Sequence, residues 1–217
     1  MMKAKGAGKM TMDPVFSDYL ALSGPPAERE ALRAWARKPY ARLPSLAETI
    51  RFVRSRPDTA FLPPFWERLV FPQVDPLGDG GADALLLLFE QGEIAPYEAY
   101  SRCPLPRRRL EEIVLARYPD NPCVLTSRYE RLTRRLALTL RGLPDAVLYR
   151  DGPADRRQMA ALSALLASYR GLSRRLDRDN REFTDCLDRL YGAWTAYLER
   201  PEAGGFPLFL QKRHIAY

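Results

Sequence analysis

Between Pro122 and Pro201 the chain repeats one device three times: apolar residues recur at spacings of three and four. That period marks a helix with one buried face. Leu125, Tyr129, Leu132, Leu136 and Leu140 form the first stripe. Met159, Leu162, Leu166, Tyr169, Leu172 and Leu176 form the second, and Phe183, Leu187, Leu190, Trp194 and Leu198 the third. They predict helices over about 123–142, 154–176 and 179–199. Each stripe residue gains about 1.5–3 kcal/mol when fully covered. One helix cannot cover its own stripe, so the three most simply cover each other, and the mixed spacing favours shallow crossings. The expected fold class is all-α: an irregular helical bundle with three long antiparallel amphipathic helices and a proline-rich N-terminal half of short helices.

The punctuation supports these boundaries. Pro122 and Pro153 suit a first helical turn, where the missing N–H would be unpaired in any case. Gly142 and Pro144 form a stop, and Pro201 closes the third helix. Asp177 or Asp179 is placed to cap that helix. The connection near Asp177–Asn180 is short enough to force a hairpin.

Thirteen of the nineteen prolines precede residue 107, so that half is built from short helices and rigid turns. Asp13 caps a short helix to Leu22. Ala27–Lys38 turns Leu32 and Trp35 inward. Ser45-Leu-Ala-Glu48 matches a capping box and opens a helix to about Arg56, with Leu46, Ile50 and Val53 inward. Pro63 or Pro64 starts a helix carrying Phe65, Trp66, Leu69 and Val70. The run Ala82–Gln91 reads as helix, with strand as the alternative, because periodicity does not assign a short apolar run. A short helix is expected over 96–102. Another runs over 105–118, with Leu110, Ile113, Val114 and Tyr118 inward. The predicted organisation is a disordered extension over 1–12 and a single helical domain over 13–217. Within that domain, 13–104 forms a short-helix cap and 105–200 the long-helix bundle. The segment 201–217 forms a docked tail, since Phe206, Leu208, Phe209, Leu210 and Ile215 are too apolar to hang free.

The longest apolar run, Ala84–Phe89, falls far short of the ~20 residues a bilayer needs, so no membrane partner is expected. The basic start Met1–Met10 has no apolar stretch behind it, unlike a secretory signal. Cys103, Cys123 and Cys186 are few and scattered, which suits a reducing compartment and a cytoplasmic location.

Charge is placed unevenly. Residues 1–104 carry 13 bases and 13 acids, whereas 105–200 carry 19 bases against 13 acids. All nineteen are arginine. Arg107, Arg108 and Arg109 form a run; Arg128, Arg131, Arg134, Arg135 and Arg141 flank the first stripe; Arg174 and Arg175 end the second helix. Arginine pairs bidentately with carboxylate and phosphate, so these ten are the candidate binding residues. The 13 interleaved acids argue for a plain solvated surface instead.

No catalytic residue, metal ligand set or cofactor site emerges. The one histidine, His214, has no H-x-x-x-H or C-x-x-C companion. The Arg-x(4–6)-His spacing of one class of all-helical nucleases fails, because Pro207, Leu208 and Phe209 occupy the required positions. Gly78-Asp-Gly-Gly81 lacks the Gly-Lys-Ser/Thr of a phosphate loop. Asp185 and Asp188 share a helix face and could hold Mg²⁺ with a third ligand, but Arg174, Arg175, Arg178, Arg181 and Arg189 interleave with them. Three functions are therefore carried forward. The first is a non-enzymatic protein-binding module of adaptor, secretion-accessory or toxin-neutralising type, its partner acidic by charge complementarity. The second is a nucleic-acid-binding protein using the same arginines, and the third a Mg-dependent carboxylate enzyme.

Overall fold

The computed structural model describes residues 12–22, 29–75, 81–90, 105–145 and 155–216. The helix expected over 96–102 lies outside them. Among the described residues every regular element is helical. The α-helices are α1 (Pro14–Leu22), α2 (Arg29–Arg37), α3 (Leu46–Arg54), α4 (Pro63–Leu69) and α5 (Gly81–Glu90), then α6 (Arg107–Arg117), α7 (Pro122–Gly142), α8 (Arg156–Arg175), α9 (Arg181–Glu199) and α10 (Gly205–Lys212). None is long and apolar enough to cross a membrane. The chain divides into two compact units, Met1–Val124 and Leu125–Tyr217, so the division falls inside the first turn of α7.

In the first unit α1 packs on α2, α2 on α4, α3 on α5 and α5 on α6. Short helices bury little area each, and aromatic rings make up the difference. Tyr19, Trp35, Phe52, Phe61, Phe65 and Trp66 are all buried. Phe65 alone touches five of these rings' neighbours and partners, Tyr19, Trp35, Phe52, Phe61 and Trp66, at centroid distances of 4.6 to 6.4 Å. The polar tips are satisfied. The Trp35 indole donates to the Val15 carbonyl at 3.1 Å, the Trp66 indole to the Phe61 carbonyl at 2.9 Å, and the Leu62 N–H to the Tyr19 hydroxyl at 2.7 Å. Arg68 donates to the carbonyls of Trp35 and Lys38, closing the open C-terminal end of α2.

Two local expectations resolve here. The run ending in Phe89 is helix rather than strand: α5 has the sequence GADALLLLFE, rich in helix formers and free of β-branched residues. All of it except Asp83 and Glu90 is buried. Helix α3 opens on the Ser45–Glu48 capping box as expected. Its buried face is turned, however: Thr49, Phe52 and Val53 are buried, while Leu46 and Ile50 are half-exposed. Stacking of Phe52 on Phe16, 4.0 Å apart and nearly parallel, sets that face.

In the second unit the stripes are buried through their middles. Tyr129, Leu132, Leu136, Leu162, Leu166, Tyr169, Leu187, Leu190 and Trp194 are all covered. The stripe ends Leu140, Leu176, Phe183 and Leu198 are half-buried. Thr139 and Tyr191 lie off the stripes and are buried too, their hydroxyls joined at 2.7 Å. Helix α8 begins at Arg156, after a capping box between Asp155 and Gln158. Helix α10 packs on α9 and on the 3-10 turn Leu143–Asp145. Phe206 meets Trp194 edge-on at 4.5 Å, and Phe206, Phe209 and Leu210 are buried. Gly204 leads into α10 at φ 94, where a Cβ would stand 2.4 Å from the Leu208 side chain.

Candidate functional site

The last turn of α8 ends in a left-handed cap. The Arg178 N–H reaches the Ser173 carbonyl at 2.9 Å and the Asp177 N–H reaches that of Arg174 at 3.4 Å, with Asp177 at φ 50. This double bond pattern with a left-handed residue between is a Schellman ending, in which the position is usually glycine. It reverses the chain within residues 176–180. As a result Arg170 and Arg174 of α8, Arg178 of the turn and Arg181 of α9 line one open crevice of about 630 Å³. Ser173, Asn180 and Thr184 share its wall, and Asp177, Asp179 and Asp185 its rim.

Behind the crevice lies a network of hydroxyls. Tyr129 and Tyr169 stack at 4.8 Å, and the Tyr169 hydroxyl donates to that of Tyr129 at 2.8 Å. Burial pushes the Tyr169 phenol up, so it stays protonated as a donor. The Asn180 amide donates to the Ser173 hydroxyl at 2.5 Å and to the Tyr129 hydroxyl at 3.4 Å. The Arg178 guanidinium stands 4.9 Å over the Tyr129 ring. Because Asn180 is turned inward, it does not cap α9; Asp179, one residue earlier, accepts the Arg181 N–H at 3.1 Å. Of the two aspartates expected to cap this helix, Asp179 serves its first turn. Asp177 belongs instead to the end of α8.

The ten candidate arginines do not form one surface. Arg107, Arg108 and Arg109 sit in the first unit and pair within their own helix: Arg107 with Glu111 at 3.6 Å, Arg108 and Arg109 with Glu112 at 2.9 and 3.3 Å. Arg108 and then Arg109 hold the Glu112 carboxyl below the usual range. The others are in the second unit. On α7, Arg128 and Arg131 are half-buried, Arg134 lies 4.0 Å from Glu130, and Arg135 and Arg141 are exposed. On α8, Arg174 and Arg175 are exposed, and only Arg174 lines the crevice. Arg174, Arg178 and Arg181 stand out in the sequence around the second hairpin, but nothing there sets Arg170, Ser173 and Asn180 beside them. The four-residue step from Arg170 to Arg174 was visible; the turn that adds the rest was not.

The carboxylates fall out differently from the Mg²⁺ expectation. Asp188 is taken by an ion pair with Arg170 across the two helices. Asp185 is exposed at the crevice rim. Among the described residues no three His, Cys, Asp or Glu side chains come together as a metal-holding group. Cys123 and Cys186 are free and half-buried, and burial, then Glu90, pushes the Cys123 thiol up, away from the reactive thiolate. His214 is exposed. Compared with family models, with curated proteins and with solved structures, the chain matches none of them.

Proposed function

We propose that this protein is a non-enzymatic helical binding module of adaptor, secretion-accessory or toxin-neutralising type, which holds an acidic segment of a protein partner at the arginine-lined end of the second unit. In this reading α7, α8 and α9 form an antiparallel bundle. Two facts support that arrangement: Arg170 pairs with Asp188, and Ser163 lines the same groove as Glu199, so residues earlier on α8 meet residues later on α9. A cytoplasmic location belongs to the same proposal.

The observation that carries the binding reading is the crevice itself. It gathers four arginines; among the described residues the Arg174 side chain has no hydrogen bond or ion pair, and the Arg178 guanidinium is engaged only through the Tyr129 ring. A guanidinium left with its donor fork open is suited to a carboxylate brought by a partner. The rim carboxylates decide between partners. Asp177 and Asp185 would repel a uniformly charged phosphate backbone, whereas a protein segment can place its acids beside the arginines and its bases or amides beside the aspartates.

The test is affinity capture from the native host with the wild type and with an Arg174→Glu, Arg178→Glu double variant. The proposal requires a protein retained by the first and lost by the second while the circular dichroism of the two is the same. Retention by both would remove the crevice from the interface. Retardation of mixed-sequence DNA or RNA that collapses between low and moderate salt would replace the protein-partner reading with nucleic-acid binding.

A further inference from the structure

The four arginines of the crevice are held in three different ways, and the difference ranks them. Arg170 is bound by Asp188 across α8 and α9, and Arg181 has Asp179 at 3.7 Å. Each of these two has its charge matched by a carboxylate. Arg174 is exposed, and among the described residues its side chain has no hydrogen bond or ion pair to fix it in one place. Of the four, Arg178 is both held and unmatched. Its guanidinium stands 4.9 Å over the Tyr129 ring and has no carboxylate partner among the described residues.

A carboxylate holds a guanidinium by matching its charge and accepting its N–H groups. An aromatic face holds the same cation and leaves its charge in place. Tyr129 therefore limits where Arg178 can go while its donor fork stays open to a ligand. Ordering a long side chain on binding costs affinity, and a guanidinium already in position avoids part of that cost. The backbone beneath Arg178 is fixed as well. Its N–H reaches the Ser173 carbonyl at 2.9 Å, and the Asn180 amide reaches the Ser173 hydroxyl at 2.5 Å. The same amide lies 3.4 Å from the Tyr129 hydroxyl. Tyr129 is itself buried and stacked on Tyr169, so its ring does not follow the arginine about. Two crevice residues, one on each side of Asp179, thus converge on a single side chain of α7.

We infer that Arg178 is the residue that takes the partner's acid and that Tyr129 is its positioning residue, an assignment that rests on the crevice being an acid-binding site. The ring of Tyr129 serves Arg178 and the hydroxyl serves Asn180, so substitution separates the two.

Hexaglutamate, acetylated and amidated, titrated into the full chain at low salt by isothermal calorimetry tests this. Saturable binding is expected, weakened by about tenfold or more in Arg178→Gln. Tyr129→Leu should weaken it by about threefold to tenfold, and Tyr129→Phe, which keeps the ring, by less than about twofold. The variant that decides the role combines Tyr129→Leu with Arg178→Gln. It should bind no worse than Arg178→Gln alone, because the ring acts only through the guanidinium. A further loss in the combined variant would make Tyr129 a general support of the crevice and overturn the positioning role. The Arg178 Nε–H resonance gives a second readout that needs neither a ligand nor a folded leucine variant. The ring current of Tyr129 should displace it from the position of the Arg174 Nε–H in the wild type and in Tyr129→Phe. Coincidence of the two resonances in the wild type would also overturn the role. Equal binding by the wild type and Arg178→Gln, with binding lost in the Arg174→Glu, Arg178→Glu variant, would sink the assignment of Arg178 and leave the crevice reading standing. No saturable binding by the wild type, or full binding by that charge-reversed variant, would remove the crevice reading and this inference with it.

Discussion

The two units reach a buried core by opposite routes. The first joins helices of seven to eleven residues, most of them set off by prolines, and fills the space between them with rings. Helices that short are marginal alone, so their order comes from tertiary contact. The second uses helices of about twenty residues whose aliphatic stripes repeat over several turns, with its rings gathered at the ends of the stripes and a set of buried hydroxyl pairs. Tyr129 with Tyr169 and Thr139 with Tyr191 tie α7 to its two neighbours at fixed heights. An aliphatic seam alone would tolerate sliding by a turn; a buried hydroxyl pair does not, because either half left unmatched loses its partner. One core is thus specified by shape and the other by period plus a few polar locks.

The sharpest way to break this contrast is to remove one ring. Phe65 is fully buried and meets five aromatic neighbours, so Phe65→Ala should destabilise the first unit by about 3–5 kcal/mol. Leu187→Ala, equally buried in the second unit, deletes fewer atoms from a more deformable seam and should cost less, toward the lower end of about 2–5 kcal/mol. Urea unfolding of each variant, followed by circular dichroism and tryptophan fluorescence, gives both numbers. If Leu187→Ala proves the more damaging, the aromatic cluster is not what holds the first unit.

The same difference explains what could be read before the structure. Periodicity revealed the three long helices because Leu125 to Leu136, Leu162 to Leu172 and Leu187 to Trp194 keep one phase over several turns. It could not reveal Tyr191 or Thr139, which lie off phase and are buried through a hydroxyl bond made across the helices. In α3 a span of nine residues is too short to fix a face, and stacking on Phe16 turned it toward Phe52. The run over 82–91 was ambiguous for the same reason: a segment buried all round has no period to display. At the candidate site, Arg174 was visible by composition alone. Arg178 and Arg181 stand out with it around the short connection, but which side chains share one crevice depends on a turn geometry that places Asp177 at positive φ, a conformation no residue pattern there announces. The Arg107–Arg109 run misled in the other direction, because the glutamates that pair with it follow within the same helix.

A second experiment asks whether buried hydroxyls matter equally to both units. Burial pushes the phenols of Tyr19 and Tyr191 up to about 12. An unfolded chain ionises its tyrosines near 10. Below that pH both states are protonated and the full stability is present. Between about 10 and 12 the unfolded chain has lost protons that the folded chain keeps, so stability falls as pH rises. Each phenol should account for about 2–3 kcal/mol across that window. Denaturation at pH values on either side of about 10 should show the loss in both units, and Tyr191→Phe should reduce it in the second, where the raised Tyr169 phenol keeps the remainder. An alkaline loss confined to one unit would show that the other admits water to its phenol.

The smallest effect separates a structural from a functional account of the crevice. Asp177 occupies the left-handed position that ends α8, where an L-residue pays about 1–2 kcal/mol and glycine pays almost nothing. The same unit does use glycine where the backbone demands it, at Gly204, so the aspartate is not explained by any general lack of glycine. Glycine loses more freedom on folding, which offsets part of the relief. Asp177→Gly should therefore raise stability by only about 0.5–1 kcal/mol, seen as a higher urea midpoint with an unchanged slope. The substitution also removes one of the carboxylates that rim the arginines. If the rim sets partner choice, the variant should be more stable and less discriminating, gaining weak retention of nucleic acid at low salt. A variant that is more stable with selectivity intact would leave Asp177 as an ordinary cap and place discrimination on Asp179 or Asp185. A variant that is less stable would mean that the Asp177 side chain compensates its own backbone strain, and the turn would then be a purely structural device.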